Sequence, residues 1–263
     1  VTPYLVICSA SFLISALTLF SGFGLGTLLL PTFTLFFPVS IAIAATAIVH
    51  LANNVFKFFL VGRMADWKVT LRFSVPAVIS AAIGAWLLAR IGGLSPLFSY
   101  HLFRREFEIE PIKLVIGALI GIFSLFELIS PFERISLPPK FIPLGGLISG
   151  FFGGLSGLQG ALRSMFLIRA GLTKEQFVGT TVSSAILVDV SRIMVYGYTM
   201  FGTHLGNLKD QGVTYPVVAA ILFALAGSIL SSQLLKKATL KTIQQIVGVL
   251  LLLISVALMG GLV

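Results

Sequence analysis

The stretch "SGFGLGTLLLP" (residues 21–31) decides how the chain must fold. It sets Gly22, Gly24 and Gly26 on alternate positions and ends on Pro31, inside a run from 4 to 37 that carries no charge. As one straight helix at about 1.5 Å per residue, that run would measure roughly 51 Å, against a hydrocarbon core of about 30 Å. Glycine costs a helix interior about 1 kcal/mol against alanine, and proline about 3. The run is therefore expected to break at the glycines, with a long helix before them and a short half-helix from Thr27 onward. In lipid an unwound backbone persists only where it faces protein or a water-filled cavity, because its N–H and C=O groups find no other partner.

Composition sets the class. Of 263 residues, 57% are hydrophobic and 10% charged, with a mean hydropathy of +1.05, which is more apolar surface than a soluble core can hide. We expect an all-α polytopic protein of the cell (plasma or inner) membrane, partnered by the lipid bilayer. At about 20 residues per span, eight hydrophobic segments emerge, at roughly 4–30, 39–61, 69–89, 112–130, 141–168, 175–200, 213–235 and 241–262. They continue to the C-terminus, unlike a cleavable signal ahead of a polar chain, and the opening on Val1 rather than a methionine leads us to expect that the very N-terminus is missing. The connections, such as "VGRMADWKVTLR" (61–72) and "FRREFEIEPIK" (103–113), are short and charged. The single cysteine, Cys8, excludes an intramolecular disulfide and a Cys-based metal cluster; no cofactor or metal is expected. The net charge of +9 has no basic, aromatic soluble domain to serve a nucleic acid. Orientation in the membrane and an anionic cargo account for it better.

A shift of 135 positions pairs Ser21 and Gly22 with Ser156 and Gly157, Thr46 with Thr181, Asn54 with Asp189, Lys57 with Arg192 and Gly62 with Gly197, without a gap. What repeats is the placement of polar and flexible residues inside apolar segments, the expensive part of a membrane sequence. Two four-segment repeats follow, residues 1–130 and 131–263, with the first segment of each broken at a glycine-rich motif. The second motif is "GFFGGLSGLQGALRS" (150–164). Glycines of this kind also serve close helix packing. Discontinuous helices near the midplane, however, build transporter sites whose half-helix N-termini offer N–H donors to anions.

Three cations fall inside segments: Lys57, Arg163 and Arg192. Thr46, His50, Asn54 and Lys57 share one face of the second segment, and Thr181, Asp189 and Arg192 repeat that face in the sixth, beside Thr180. Two readings stay open for Asp189 and Arg192, which are spaced to pair with each other as well as to bind substrate; Lys57 and Arg192 are also placed to snorkel. Arg163 follows the second break directly, with no carboxylate near it in sequence, and suits a bound anion. His50 is either a proton-coupling residue or a packing histidine.

The stretch "SGLQGALRSMFLIRAGLTKEQFVGTTVSSAILVDVSRIMVYG" (156–197) resembles the second half of the TauE/SafE, or sulfite exporter, family through Gly157, Gly160, Gly179, Thr180, Asp189, Arg192 and Tyr196. "GFGLG" and "LLLP" (22–31) are similar to its first-half motif, and the chain departs from the pattern at Leu25, Ala161 and Phe166. The resemblance implies an ion-coupled transporter that exports sulfite, sulfonates or other organosulfur anions, and no enzyme.

Taken together, these features predict a secondary transporter of a small anion with a central site. Backbone N–H groups around Gly22, Gly24, Gly26 and Thr27 and around Gly157, Gly160 and Arg163 would bind oxyanion oxygens, and Lys57, Arg163 and Arg192 would supply charge. Thr46, Asn54, Gln159, Thr180, Thr181 and Asp189 would orient the substrate. No GxxxxGK[ST] loop is present, so the energy is expected from a gradient, with H+ or Na+ as the coupling ion. Whether the repeats are parallel or inverted, the basic residues of the connections favour both termini outside. The inverted arrangement has the attraction that the two breaks would approach the midplane from opposite faces. No oligomeric state follows. Two other functions compete. "HLANN" (50–54), "GLSG" (154–157) and "HLGN" (204–207) match strings of rhomboid-like intramembrane serine proteases, although such a nucleophile needs its histidine within hydrogen-bond reach. A non-transporting membrane subunit is the other.

Overall fold

Helices carry every one of the expected hydrophobic segments. The computed structural model describes residues 2–18, 25–102, 105–128, 136–201, 212–234 and 240–262. Its elements run α1 (Thr2–Thr18), α2 (Leu25–Thr34), α3 (Val39–Val61), α4 (Trp67–Gly92), β1 (Phe98–Leu102), β2 (Arg105–Ile109), α5 (Pro111–Leu128), α6 (Ile142–Ser156), α7 (Gly160–Leu167), α8 (Lys174–Tyr196), α9 (Thr214–Leu234) and α10 (Leu240–Met259). Three helical stretches, Val39–Met64, Trp67–Gly92 and Lys174–Thr199, are long and apolar enough to cross a membrane. This is an all-α polytopic membrane protein.

Local chemistry sets several ends. Asp66 caps α4 by accepting from the Val69 N–H at 3.0 Å. At α8 Thr173 and Gln176 form a reciprocal capping box, with bonds of 3.0 and 3.2 Å. The charged connection 103–113 contains an element that the sequence reading did not foresee, the antiparallel hairpin of β1 and β2. Its Tyr100 ring stacks on Phe107 at 5.5 Å, and the Tyr100 hydroxyl donates to the Gly260 carbonyl at 2.5 Å. The hairpin therefore lies beside the C-terminal end of α10.

The broken segments fold back on themselves. In the second, the Ser149 hydroxyl of α6 donates to the Gln159 carbonyl at 3.0 Å, and a Cβ added at Gly145 would strike the Phe166 ring of α7. Residues early in α6 thus lie level with residues late in α7, so α6 and α7 are antiparallel and the segment returns to the side from which it came. In the first, Ser15 donates to Asn53 Oδ1 at 3.1 Å and Lys57 donates to the Thr18 carbonyl at 3.3 Å. Contacts that advance together along both helices make α1 parallel to α3. α2 then leads through a short turn into α3 and lies antiparallel to it.

α3 and α8 run in opposite directions. His50 meets Asp189, while the Asp66 N–H, just beyond the end of α3, donates to the Thr180 hydroxyl near the start of α8 at 3.0 Å. The α1–α2 and α6–α7 hairpins accordingly insert from opposite faces. Between them, α4 packs along α6 and α9 along α1, and α5 pairs with α10.

Glycine makes the α4–α6 contact possible. A Cβ at Gly146, Gly150 or Gly154 would collide with the carbonyl oxygen of Phe73, Ala77 or Ala81 respectively. These residues form two facing stripes spaced by four, the small-residue packing of membrane helices. Gly227 of α9 makes the same approach to the Phe12 carbonyl of α1. Gly150 and Gly154 of the 150–164 motif therefore serve packing, and the break itself falls at Gly157.

Candidate functional site

α6 ends at Gly157, which adopts φ +82°, the left-handed region open to glycine at no steric cost. A Cβ there would also stand 2.7 Å from Arg192 Nη1. Gly26, in the first turn of α2, approaches the same place. Its Cβ would lie 3.2 Å from the Gly157 carbonyl oxygen and 3.6 Å from His50 Cδ2. The start of α2 meets the second break here, backbone against backbone. Thr27 follows Gly26 in that turn, whereas Gly22 and Gly24 lie outside the described residues.

Beside this junction sits a buried polar cluster. His50 Nδ1–H donates to Asp189 Oδ2 at 2.6 Å, and Arg192 donates from Nε to Asp189 Oδ1 at 3.0 Å, with Nη2 2.8 Å from the same oxygen. Gln159 Nε2 adds a longer bond to that oxygen, 3.4 Å. Arg192 Nη1 reaches the Gly153 carbonyl at 3.3 Å, Tyr196 donates to the Gly154 carbonyl, and Asn54 Nδ2 donates to the His50 carbonyl at 2.9 Å. Asp189 and Arg192 are both 0% exposed. Of the two open readings for these residues, the direct pair is formed; a charge held this deep in protein needs such a partner.

Arg163 stands apart from that pair. It is 2% exposed, sits in the first turn of α7, and donates from Nη1 to the Thr181 carbonyl at 2.6 Å. Its Nε has no partner among the described residues, and neither do Thr181 Oγ1, Gln159 Oε1, Ser184 Oγ and Thr46 Oγ1. The N–H groups of Gly160, Ala161 and Leu162 have no acceptor within α7, as at any helix start, and Gln159 offers no side-chain cap. Donors and a fixed positive charge thus converge at the start of α7. No metal-binding group of His, Cys, Asp or Glu occurs among the described residues.

The antiparallel course of α3 and α8 separates residues that the sequence placed on one repeated face. Thr46 precedes His50 by one turn and Thr181 precedes Asp189 by about two, so the two hydroxyls lie on opposite sides of the His50–Asp189 pair along the helix axes. Thr180 faces the α3–α4 turn through Asp66. Lys57 reaches the end of α1 and lines a separate cavity with Val61 and Val178. Sequence reasoning missed the triad of Ser15, Asn53 and Ser228, whose oxygens lie 2.7 to 3.1 Å from one another. The signal available was Ser15 and the Asn53–Asn54 pair inside apolar segments.

The protease strings do not assemble among the described residues. Ser156 donates to the Phe152 carbonyl at 3.0 Å and His50 is committed to Asp189, while His204 lies outside the described residues.

The family described as "Sulfite exporter TauE/SafE" matches residues 7–258. Comparison with curated proteins and with solved structures gave no match. With its family match spanning nearly the whole length and its apolar helices folded as above, the chain belongs to the TauE/SafE sulfite exporter family, whose members are membrane transporters and not enzymes.

Proposed function

We propose that the protein is a secondary transporter that exports a small sulfur oxyanion or organosulfonate, such as sulfite, through a central site where the two helical hairpins meet. The observation that carries this reading is Arg163: a buried guanidinium with a spare Nε–H at the N-terminal end of a half-helix, where backbone N–H groups and the helix dipole also favour an anion. Arg163 is held by the carbonyl of Thr181, whose own hydroxyl has no partner among the described residues, and Gly26 and Gly157 bring the two backbones together. Arg192 and Asp189 hold the α6–α8 geometry, and His50 links them to α3 as the residue through which H+ coupling would act; Na+ is the other candidate ion. Both act as positioning groups in this reading.

Two inverted repeats, residues 1–130 and 131–263, account for the arrangement, with a boundary that lies outside the described residues. Supporting this, Lys57 donates to Thr18 and Arg192 to Gly153, each cation reaching a carbonyl 39 residues before it, and both residues of the second pair stand 135 positions after those of the first. With the hairpins inserted from opposite faces, the reading puts both termini outside, the side that the smaller number of basic residues in the connections favours. In liposomes, the protein should move radiolabelled sulfite down its gradient, and Arg163→Ala should abolish that flux while the protein stays monodisperse and helical. Undiminished flux in a folded Arg163→Ala variant would remove the site as proposed.

A further inference from the structure

The equivalence of Lys57 and Arg192 exposes an imbalance. Each lies three residues after a polar residue on its helix, Asn54 for Lys57 and Asp189 for Arg192, and each donates to a carbonyl near the end of the hairpin helix beside it. In the second half the carboxylate of Asp189 neutralises the cation. The first half has a neutral amide in its place. Among the described residues no carboxylate pairs with Lys57, which is only 5% exposed and has one acceptor, the Thr18 carbonyl, for its three N–H donors. An ammonium buried without a counter-charge is costly unless an anion completes it.

Lys57 also lines an open space. A cavity of about 320 Å³ opens between the end of α3 and the start of α8, with apolar walls from Leu60, Val61, Met64 and Val178 and with Lys57, Lys174 and Glu175 as its charged lining. That equals the volume of roughly ten waters at about 30 Å³ each, room for an oxyanion and part of its hydration. The exposed Lys174 and Glu175 stand in the first turn of α8, and the two lysines outweigh the one carboxylate. Arg163 is not among the cavity's lining residues.

We propose that this cavity is a second oxyanion site, separate from the Arg163 site, in which Lys57 holds a three- or four-oxygen anion: either a dissolved ion such as sulfate or sulfite, or the phosphate of a lipid headgroup. The site lies on the face where α4 and α8 begin, so a dissolved anion bound there would wait at one mouth of the protein.

The test uses the full chain in liposomes, with Cys8→Ser and Val178→Cys placing a lone thiol in the cavity wall. An anionic thiosulfonate reagent, sulfonatoethyl methanethiosulfonate, should label it at least about tenfold faster than the trimethylammonioethyl analogue, because the net positive charge of two lysines against one carboxylate concentrates anions in the cavity. Lys57→Gln should bring the ratio to about one. Asn54→Asp, which keeps the ammonium but supplies the counter-charge found in the other half, should lower it as well and stands in if Lys57→Gln fails to fold. Sodium sulfate that slows labelling in phosphatidylcholine liposomes identifies a dissolved anion as the occupant; phosphatidylglycerol that slows it without sulfate identifies a headgroup. Protection by neither, or a ratio that neither substitution lowers, overturns the proposal. Arg163→Ala should leave the ratio unchanged, so loss of the central site and loss of this one read out separately.

Discussion

His50 on α3 and Asp189 on α8 stand 2.6 Å apart, Nδ1 to Oδ2, so a carboxylate buried in one half of the chain is tied to an imidazole in the other. The same carboxylate holds Arg192, which in turn reaches the Gly153 carbonyl beside the break. The junction of the hairpins is thereby fixed by a single connected network.

Asp189→Asn keeps the shape of the side chain and removes its charge, leaving Arg192 buried without a counter-ion. Breaking a buried pair in this way costs about 3–5 kcal/mol, whereas His50→Ala, which leaves the Asp189–Arg192 pair intact, should cost about 1–3. Thermal unfolding in detergent should rank them in that order. Equal melting of Asp189→Asn and the unaltered protein would show that the network does not support the fold.

Gly157→Ala meets two penalties together, a left-handed backbone and a methyl 2.7 Å from Arg192 Nη1. The backbone alone costs roughly 1–2 kcal/mol. Arg192 can yield only by loosening its hold on Asp189, so the variant should lose both thermal stability and sulfite flux. Gly26→Ala, with its Cβ 3.2 Å from the Gly157 oxygen, should keep the fold and lose flux in part.

Gly150→Ala should destabilise the α4–α6 contact, since its methyl would collide with the Ala77 carbonyl, a backbone group that cannot swing aside. Overpacking of this kind costs about 1–3 kcal/mol. Gly197→Ala is the matched control, because nothing lies within 4 Å of a Cβ there. Similar melting temperatures for the two variants would mean that the α4–α6 packing is looser than described.

Opposite insertion of the hairpins fixes which loops share a face. In a Cys8→Ser background, Ser99→Cys on β1 and Gly171→Cys between α7 and α8 should label from opposite sides with a membrane-impermeant maleimide. Ser99→Cys should react on intact cells and Gly171→Cys only after permeabilisation. Labelling of both from one side would rule out the inverted arrangement.

The eight segments were legible because lipid leaves few alternatives: an apolar run of about 20 residues between charged connections is a helix. The separation of α1 from α2 was legible in the uncharged length of 4–37, and Lys57 and Arg192, 135 positions apart, each reach a carbonyl 39 residues before them. What could not be read was depth. A repeated face puts Thr46 and Thr181 in equivalent places, and only the opposite directions of α3 and α8 reveal that equivalent residues lie on opposite sides of the centre. The Thr18 carbonyl that Lys57 meets and the Gly153 carbonyl that Arg192 meets belong to other helices and were hidden for the same reason, whereas the Asp189–Arg192 pair lies three residues apart on one helix and was within reach of the spacing. The β1–β2 hairpin escaped because two five-residue strands inside a charged connection leave too short an alternation to stand out.

The central claim is that an oxyanion binds where the α1–α2 and α6–α7 hairpins meet, at the start of α7. Crystals grown with selenite, the heavier analogue of sulfite, and measured at the selenium absorption edge test it most directly. An anomalous peak within hydrogen-bond distance of Arg163 and the first-turn N–H groups of α7, lost in Arg163→Ala, is the predicted result. Selenite found only at the protein surface, with the start of α7 empty at saturating concentration, would contradict it.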